Sequence, residues 1–146
     1  MYKELVSILR AEVKPALGCT GPTSVSYAAS VAKDAVGGKA KKVKVLVDRD
    51  TYKNSIAVGI PGTKEMGVDI AAALGAVGGD SKLGLEVLND ITPEDEEESK
   101  RMLADGDLVL EIKWDIEGVG LYIEVFVETD KGTGHAIVAK THTNVV

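Results

Sequence analysis

The chain has 146 residues, of which 45% are hydrophobic and 27% are charged, and its formal net charge is −6. These values are typical of one folded domain, expected over residues 1–146, and they exclude a wholly disordered chain. The negative charge disfavours nucleic-acid binding. No apolar run approaches the roughly 18 residues that span a membrane, and the N-terminal segment is too charged for a signal peptide. We therefore expect a cytoplasmic protein, and its single cysteine excludes an internal disulfide.

Two helices and a strand are predicted in the first third of the chain. Residues 3–13 place apolar side chains at helical spacing, and Pro15 ends this helix because the residue before a proline avoids the helical conformation. A second helix is expected to begin at Pro22, which suits the first helical position, and to end at Gly37. Residues 41–48 place a valine at every second position, which predicts a half-buried strand.

The middle of the chain is expected to be mainly helical. Residues 49–63 fit either a short helix or an irregular strand. Small apolar residues predict a helix over residues 67–77, and residues 81–88 fit a further short helix. The clearest helix covers residues 92–106, where a threonine cap, a proline and an aspartate form a capping box and a glycine ends the helix. We interpret the acidic run at its start as a solvated helix turn rather than a cation site.

Strands dominate the last third of the chain. Residues 108–116, 120–130 and 132–146 alternate polar and apolar side chains, and the sequences EGVG and TDKG between them are predicted hairpin turns. The whole chain is therefore predicted to be an α+β domain, with a mainly antiparallel sheet of about four strands and helices packed on one face. The last strand is expected to reach Val146, which suggests a fragment or one half of a split protein.

Cys19 is the first candidate for chemistry. It lies between glycines in the sequence LGCTGP, just before the predicted second helix, where a thiol can serve as a nucleophile or a metal ligand. The alternative is a small buried cysteine that packs as an apolar side chain. Position alone leaves both interpretations open.

The loop over residues 54–67 is the second candidate. Gly62 and Thr63 offer N–H and hydroxyl donors close to the start of the next helix, where a carboxylate is favoured. The loop contains neither a phosphate-binding P-loop nor a dinucleotide fingerprint. A purely structural turn is the alternative.

Two histidines lie in the last predicted strand. His135 shares a face with Ile137 and is interpreted as a structural residue with a satisfied hydrogen bond. His142 and Asn144 lie two residues apart near the end of the strand, and would therefore point to the same face, where they can bind an amino-acid carboxylate or ammonium. A polar strand end without a ligand is the alternative.

Three blocks of the sequence, in order, resemble signatures of the iron–sulfur L-cysteine desulfidases, which are related to bacterial iron–sulfur L-serine dehydratases. They are VKPALGCTGPTSVSYAA, then KNSIAVGIPGT followed by IAAALGAVGGDSKLGLEVLNDITPED, and THTNVV. The resemblance covers the chain from about Glu12 to Val146. It implies a lyase that holds a [4Fe–4S] cluster and eliminates sulfide or water from L-cysteine or L-serine, giving pyruvate and ammonia.

The resemblance also implies roles for individual residues. Cys19 would be one cluster ligand, and the other ligands would lie in a C-terminal half that this chain lacks. The chain alone would then hold no cluster and would be inactive. Thr20 and Asn54 fall in the first two signatures and are expected to bind substrate. A related amino-acid-binding regulatory domain implies the same for Gly62, Thr63, His142 and Asn144.

The sequence departs from the family's usual residues at two positions, and it is compatible with two functions. Gly21 stands where the family usually has a glutamate, and Lys64 follows Thr63 where the family usually has glycine. The leading hypothesis is the N-terminal domain of the lyase, with a small amino-acid substrate and a separate C-terminal domain or subunit. The alternative is a non-catalytic amino-acid-binding regulatory module. We also expect that the chain can self-associate along its open sheet edge or an apolar face.

Overall fold

Two helices and one strand are followed by a helical segment and then by three consecutive strands. In the computed structural model, residues 2–116 and 120–146 are described. The helices are α1 (Tyr2–Glu12), α2 (Thr20–Val36), α3 (Arg49–Ser55), α4 (Val68–Gly78) and α5 (Pro93–Asp105), with a 3₁₀ helix at Ser81–Glu86. The strands are β1 (Ala40–Asp48), β2 (Leu108–Lys113), β3 (Tyr122–Thr129) and β4 (Gly132–Ala139).

The four strands form one sheet in the order β2-β1-β3-β4. Strand β1 pairs in parallel with β2 and antiparallel with β3, and β3 pairs antiparallel with β4. The prediction of an α+β domain with about four strands and mainly antiparallel pairing is confirmed, with the correction that the sheet is mixed. The parallel pair arises because the chain leaves β1, crosses over through α3, α4 and α5, and returns beside it as β2.

One predicted hairpin is wrong. The EGVG sequence was expected to join two neighbouring strands, but β1 lies between β2 and β3 in the sheet. Residues 117–119 of that sequence lie outside the described residues. The TDKG hairpin between β3 and β4 is confirmed, because Thr129 pairs directly with Gly132.

Helices cover one face of the sheet, as predicted, with α2 and α4 making most of the contacts. Helix α2 packs against β3 and β4, and α4 packs against α2, β1 and β2. The covered face is a row of buried valines that includes Val45 of β1 and Val125 of β3. The two helices approach closely at Gly75, where an added Cβ would overlap the carbonyl oxygen of Ser26. The opposite face, which we call the open face, carries polar side chains such as Lys44 and Glu124 together with apolar ones such as Leu46 and Phe126.

The helix ends follow local chemistry. Helix α5 begins with the predicted capping box, in which Thr92 and Asp95 exchange side-chain and backbone hydrogen bonds, and it ends at Gly106 in the left-handed conformation. Helix α2 begins two residues before the predicted start, so that Cys19 is its N-cap residue.

The last strand is shorter than predicted. Strand β4 ends at Ala139, and Lys140 follows with a φ of 72°. The chain then turns, and Val145 forms an isolated bridge back to Val138. The expectation of a strand reaching Val146 is therefore wrong, because the residues after Ala139 form a turn.

Among residues 2–116 and 120–146, no helix combines the length and the hydropathy needed to cross a membrane.

Candidate functional site

A cleft of about 390 Å³ opens where β1 ends and α2 and α3 begin. Ligand-binding clefts typically enclose about 300–1,000 Å³, so this one is large enough for a small metabolite. Its lining residues come from four separate segments: Cys19, Thr20, Gly21, Asp48, Asp50, Thr51, Asn54, Ser55, Gly120, Leu121 and His142. We call it the Cys19 cleft. It brings together four of the residues singled out in the sequence, namely Cys19, Thr20, Asn54 and His142.

The first wall of the cleft is the start of α2. Cys19 adopts an extended conformation at the N-cap, with φ −70° and ψ 135°, and its side chain makes no capping hydrogen bond. The thiol is exposed. The interpretation of Cys19 as a small buried apolar residue is therefore wrong. An exposed thiol at a helix N-terminus is open to a metal or an electrophile from outside the domain.

Two glycines hold the Cys19 loop against the segment that carries Asn54. Gly18 has a φ of 86°, and an added Cβ there would overlap the ring of Pro61. A Cβ at Gly21 would lie 2.5 Å from the hydroxyl oxygen of Ser55. The first two sequence blocks of the resemblance are thus in direct contact, and two of the glycines in the first block are needed for that contact.

The second wall is built around Asp48. This carboxylate is only 6% exposed and caps α3 by accepting a hydrogen bond of 2.8 Å from the backbone N–H of Thr51. It also accepts from the Thr51 hydroxyl, and at 2.9 Å from the backbone N–H of Tyr122 on β3. The cap fixes the start of the short helix α3, whose last two residues, Asn54 and Ser55, line the cleft.

His142 comes from the turn after β4. The prediction that His142 and Asn144 share a strand face is wrong, because neither lies in a strand. Only His142 lines the cleft. The Asn144 side chain instead donates a hydrogen bond of 2.9 Å to the carbonyl of Ala139, which closes the turn. The same turn is tied to the first sequence block, since Lys14 Nζ donates to the hydroxyl of Thr143 at 3.1 Å.

Gly62 and Thr63 are not among the residues that line the Cys19 cleft. The Thr63 hydroxyl donates to the carbonyl of Ile60 at 3.0 Å and accepts from the backbone N–H of Glu65 at 3.0 Å. These bonds stabilise a turn. Gly62 is exposed at that turn, with a φ of 79°.

Sequence reasoning missed Asp48 and Ser55. Asp48 is the last residue of β1, and its spacing to Thr51 is typical of a helix start. This signal favours the helix over the irregular strand for residues 49–63. Ser55 lies beside Asn54 in the second block of the resemblance, but nothing in the sequence distinguishes it from its neighbours. Its side chain is completely buried, and its hydroxyl has no hydrogen-bond partner among the described residues.

A second titratable cluster lies on the open face of the sheet. The carboxylate of Glu124 accepts hydrogen bonds of 2.9 Å from both Lys113 and Tyr122, and His135 Nε2 lies 3.0 Å from it. Burial raises the pKa of Glu124, but the hydrogen bonds from its three neighbours outweigh burial and leave the pKa below its ordinary value. The His135 ring also stacks on Phe126 at 4.1 Å. His135 is thus a hydrogen-bonded strand residue, as interpreted from the sequence, and it does not line the Cys19 cleft.

A smaller concavity of about 250 Å³ adjoins the Cys19 cleft and shares Asp48, Asp50 and Gly120 with it. Its other side carries Lys113 and Trp114. The Cys19 cleft is the stronger candidate because it also holds a free thiol and an unpaired buried hydroxyl. Within the described part of the chain, no group of three or more His, Cys, Asp and Glu side chains is placed to hold a metal ion.

Comparison with known proteins gives relatives without a stated activity. No family model matches the chain. It is similar to UPF0597 proteins of Clostridium botulinum, at 42% identity over 142 residues, which are 97% of this chain and 32% of the relative. A UPF0597 protein of Bacteroides fragilis is 41% identical over 144 residues, covering 99% of this chain and 33% of the relative. The chain therefore spans about a third of the length of the curated relatives it matches.

Proposed function

We propose that this chain is the N-terminal, substrate-binding part of an iron–sulfur lyase that eliminates sulfide or water from L-cysteine or L-serine, giving pyruvate and ammonia. The proposal is carried by the convergence of distant segments on the Cys19 cleft. Cys19 and Thr20 come from the first block that resembles L-cysteine desulfidases, Asn54 from the second and His142 from the third. A shared cleft is what a common substrate site requires.

The roles of the residues follow from their positions. Cys19 would be one ligand of a [4Fe–4S] cluster, which suits its exposed thiol and its lack of a capping hydrogen bond. When bound, such a cluster supplies an iron that can polarise the leaving group. A single thiolate cannot hold it, so further ligands must come from another part of the protein. Thr20, Asn54 and His142 would orient the substrate, and we propose that the protein works in the cytoplasm.

The same proposal accounts for an uncovered helix. Helix α1 is amphipathic and contains no buried residue, and Leu5, Ile8 and Leu9 are 51%, 57% and 58% exposed. The relatives are about three times as long as this chain. We propose that this apolar stripe contacts the polypeptide that corresponds to the remaining part of the relatives, and that this partner supplies the other cluster ligands.

The test reconstitutes the complete protein. The chain is mixed under anaerobic conditions with a polypeptide covering the unmatched part of the Clostridium botulinum relative, and iron and sulfide are added. Bound iron is counted, and pyruvate is measured from L-cysteine and from L-serine. We expect iron and pyruvate with the wild-type chain, and neither with Cys19→Ala, whose thermal unfolding should match the wild type because the thiol is exposed.

The control variant is Thr63→Ala, which alters a turn outside the cleft and should retain its iron. A Cys19→Ala protein that keeps its cluster and its turnover would overturn the proposal.

A non-catalytic amino-acid-binding module is the second candidate. It is favoured by the polar side chains of the cleft, which suit a small amino acid without iron. A single thiolate also cannot hold a cluster without ligands from elsewhere. Calorimetric titration of the iron-free chain with L-serine and L-cysteine distinguishes the two. Tight binding without iron, together with no pyruvate from the reconstituted mixture, would favour the module.

A further inference from the structure

The Cys19 cleft has two walls of opposite polarity. We propose that it binds an α-amino acid as a zwitterion, with the carboxylate on the first turn of α2 and the Ser55 hydroxyl, and with the ammonium facing Asp48 and Asp50. The inference deepens the proposed function, since it takes the same cleft as the substrate site. It assigns three residues, Ser55, Asp48 and Asp50, that carried no expectation from the sequence.

The carboxylate wall is the N-terminus of a long helix. The first backbone N–H groups of a helix have no acceptor within it and form its positive end. Those of Thr20 and Gly21 have no acceptor among the described residues, and Pro22 has no N–H to offer. The first turn of this 17-residue helix carries no acidic side chain that would compete with an incoming anion. A carboxylate is therefore the favoured ligand at this end of the cleft.

Ser55 is the independent sign that a ligand belongs there. Its side chain is fully buried and lines the cleft, yet its hydroxyl has no partner among residues 2–116 and 120–146. Native proteins seldom leave a buried hydroxyl unpaired, because an unmade hydrogen bond costs free energy. The hydroxyl lies against the first turn of α2, 2.5 Å from the place of a Cβ on Gly21. A carboxylate bound to the Thr20 and Gly21 N–H groups would give it an acceptor.

Gly21 and Ser55 form one unit in this interpretation. Any residue with a Cβ at position 21 would have to displace the Ser55 hydroxyl. The glycine that departs from the family's usual glutamate thus makes room for that hydroxyl. This chain has no carboxylate at position 21. The carboxylates of its cleft lie on the other wall, at Asp48 and Asp50.

The ammonium wall carries a buried negative charge. Asp48 is almost fully buried and is held by two N–H groups and one hydroxyl. No ion pair to Asp48 forms within the described part of the chain. Asp50 is exposed beside it, and its one ion pair among the described residues is with the neighbouring Arg49 at 3.3 Å. A cation in the cleft would thus meet a carboxylate with no basic partner, and opposite charges attract more strongly near a buried site.

The experiment is an amide NMR titration of the iron-free 146-residue chain. The ligands are L-serine, L-glycerate, in which a hydroxyl replaces the ammonium of serine, and ethanolamine, which is serine without its carboxylate. Titration to about 50 mM detects a dissociation constant in the millimolar range. We expect L-serine to shift the amide signals of Thr20 and Gly21, and we expect the other two ligands to bind at least about tenfold more weakly.

Three variants sharpen the test. Ser55→Ala, Gly21→Ala and Asp50→Asn should each weaken L-serine binding at least about fivefold, since each removes or displaces one charged or polar contact. The matched control is Ser24→Ala. Ser24 also carries a buried hydroxyl with no partner in the part of the chain that the structure describes, but it does not line the cleft, so its loss should leave the affinity unchanged.

Several outcomes would overturn the inference. They are the absence of shifts with L-serine, equal affinities for L-serine and L-glycerate, or equal effects of Ser55→Ala and Ser24→Ala. Shifts centred on the indole of Trp114 would overturn it as well, because this single tryptophan lines the neighbouring concavity. Binding without pyruvate formation in the reconstituted protein would refute the lyase but leave this inference standing. Pyruvate formation with an unchanged KM in Ser55→Ala would support the lyase and overturn this inference.

Discussion

Asp48 is expected to be the most sensitive polar residue of the fold. Replacing it with alanine removes the cap of α3 and the acceptor for the Tyr122 N–H. Loss of a helix cap costs about 1 kcal/mol, and loss of a hydrogen bond to a charged group costs about 1.5–3 kcal/mol. Relief from burying an unpaired carboxylate offsets part of this. We therefore expect Asp48→Ala to lower the free energy of unfolding by about 2–3 kcal/mol.

Asparagine at the same position separates the two contributions. Its carbonyl oxygen can still cap α3, but its amide nitrogen cannot accept from Tyr122, so Asp48→Asn should cost about 1–2 kcal/mol. Urea unfolding followed by circular dichroism measures both variants. Asp80→Ala is the control, because Asp80 caps the 3₁₀ helix through a single bond of 3.0 Å from the Lys82 N–H. If Asp48→Ala costs less than about 0.5 kcal/mol, or no more than Asp80→Ala, the central role of Asp48 is refuted.

Three further predictions concern the rest of the fold. Glu124→Gln should destabilise the chain at neutral pH, because hydrogen bonds from its neighbours lower the folded-state pKa of Glu124. The difference in stability should be lost as the pH falls through that lowered pKa, and a difference that stays constant through acid titration would contradict it. Thr92→Ala should cost about 1 kcal/mol in urea unfolding by removing the capping box, and no change would contradict it. Gly75→Ala should cost about 1–3 kcal/mol by pushing α4 away from the Ser26 carbonyl, and a stabilised variant would contradict it.

The parts of the fold that sequence could predict are those set by neighbouring residues. The start of α5 was predictable because Thr92, Pro93 and Asp95 settle it within four positions. The alternation of β1 predicted a half-buried strand for the same reason, since its valines need only a helix layer on one side. Strand order was not predictable in this way. A short connection between two strands favours a hairpin, and only the long crossover through α3, α4 and α5 puts β1 between β2 and β3.

In the cleft, too, the residues marked by their local sequence were predictable and those set by long-range contacts were not. Cys19 and Asn54 were found because glycines and a resemblance mark their segments, and His142 because it is a histidine beside a strand end. Ser55 has nothing unusual in its sequence context. It matters because a helix 34 positions earlier presents Gly21 to its hydroxyl, a contact made only in the folded chain. Tertiary contacts of this kind have no local pattern from which they can be predicted.

The last prediction concerns helix α1. Substituting glutamine for Leu5, Ile8 and Leu9 together should leave the unfolding of the isolated chain unchanged, because none of these side chains is buried. The same triple variant should lose its association with the polypeptide that covers the unmatched part of the Clostridium botulinum relative, measured by sedimentation velocity. Val109→Gln is the control, since Val109 is 48% exposed on the open sheet face, away from α1. Association that survives the triple variant but fails with Val109→Gln would place the contact on the sheet instead. A wild-type chain that forms only its own dimers, lost in the triple variant, would assign the stripe to a second copy of this chain.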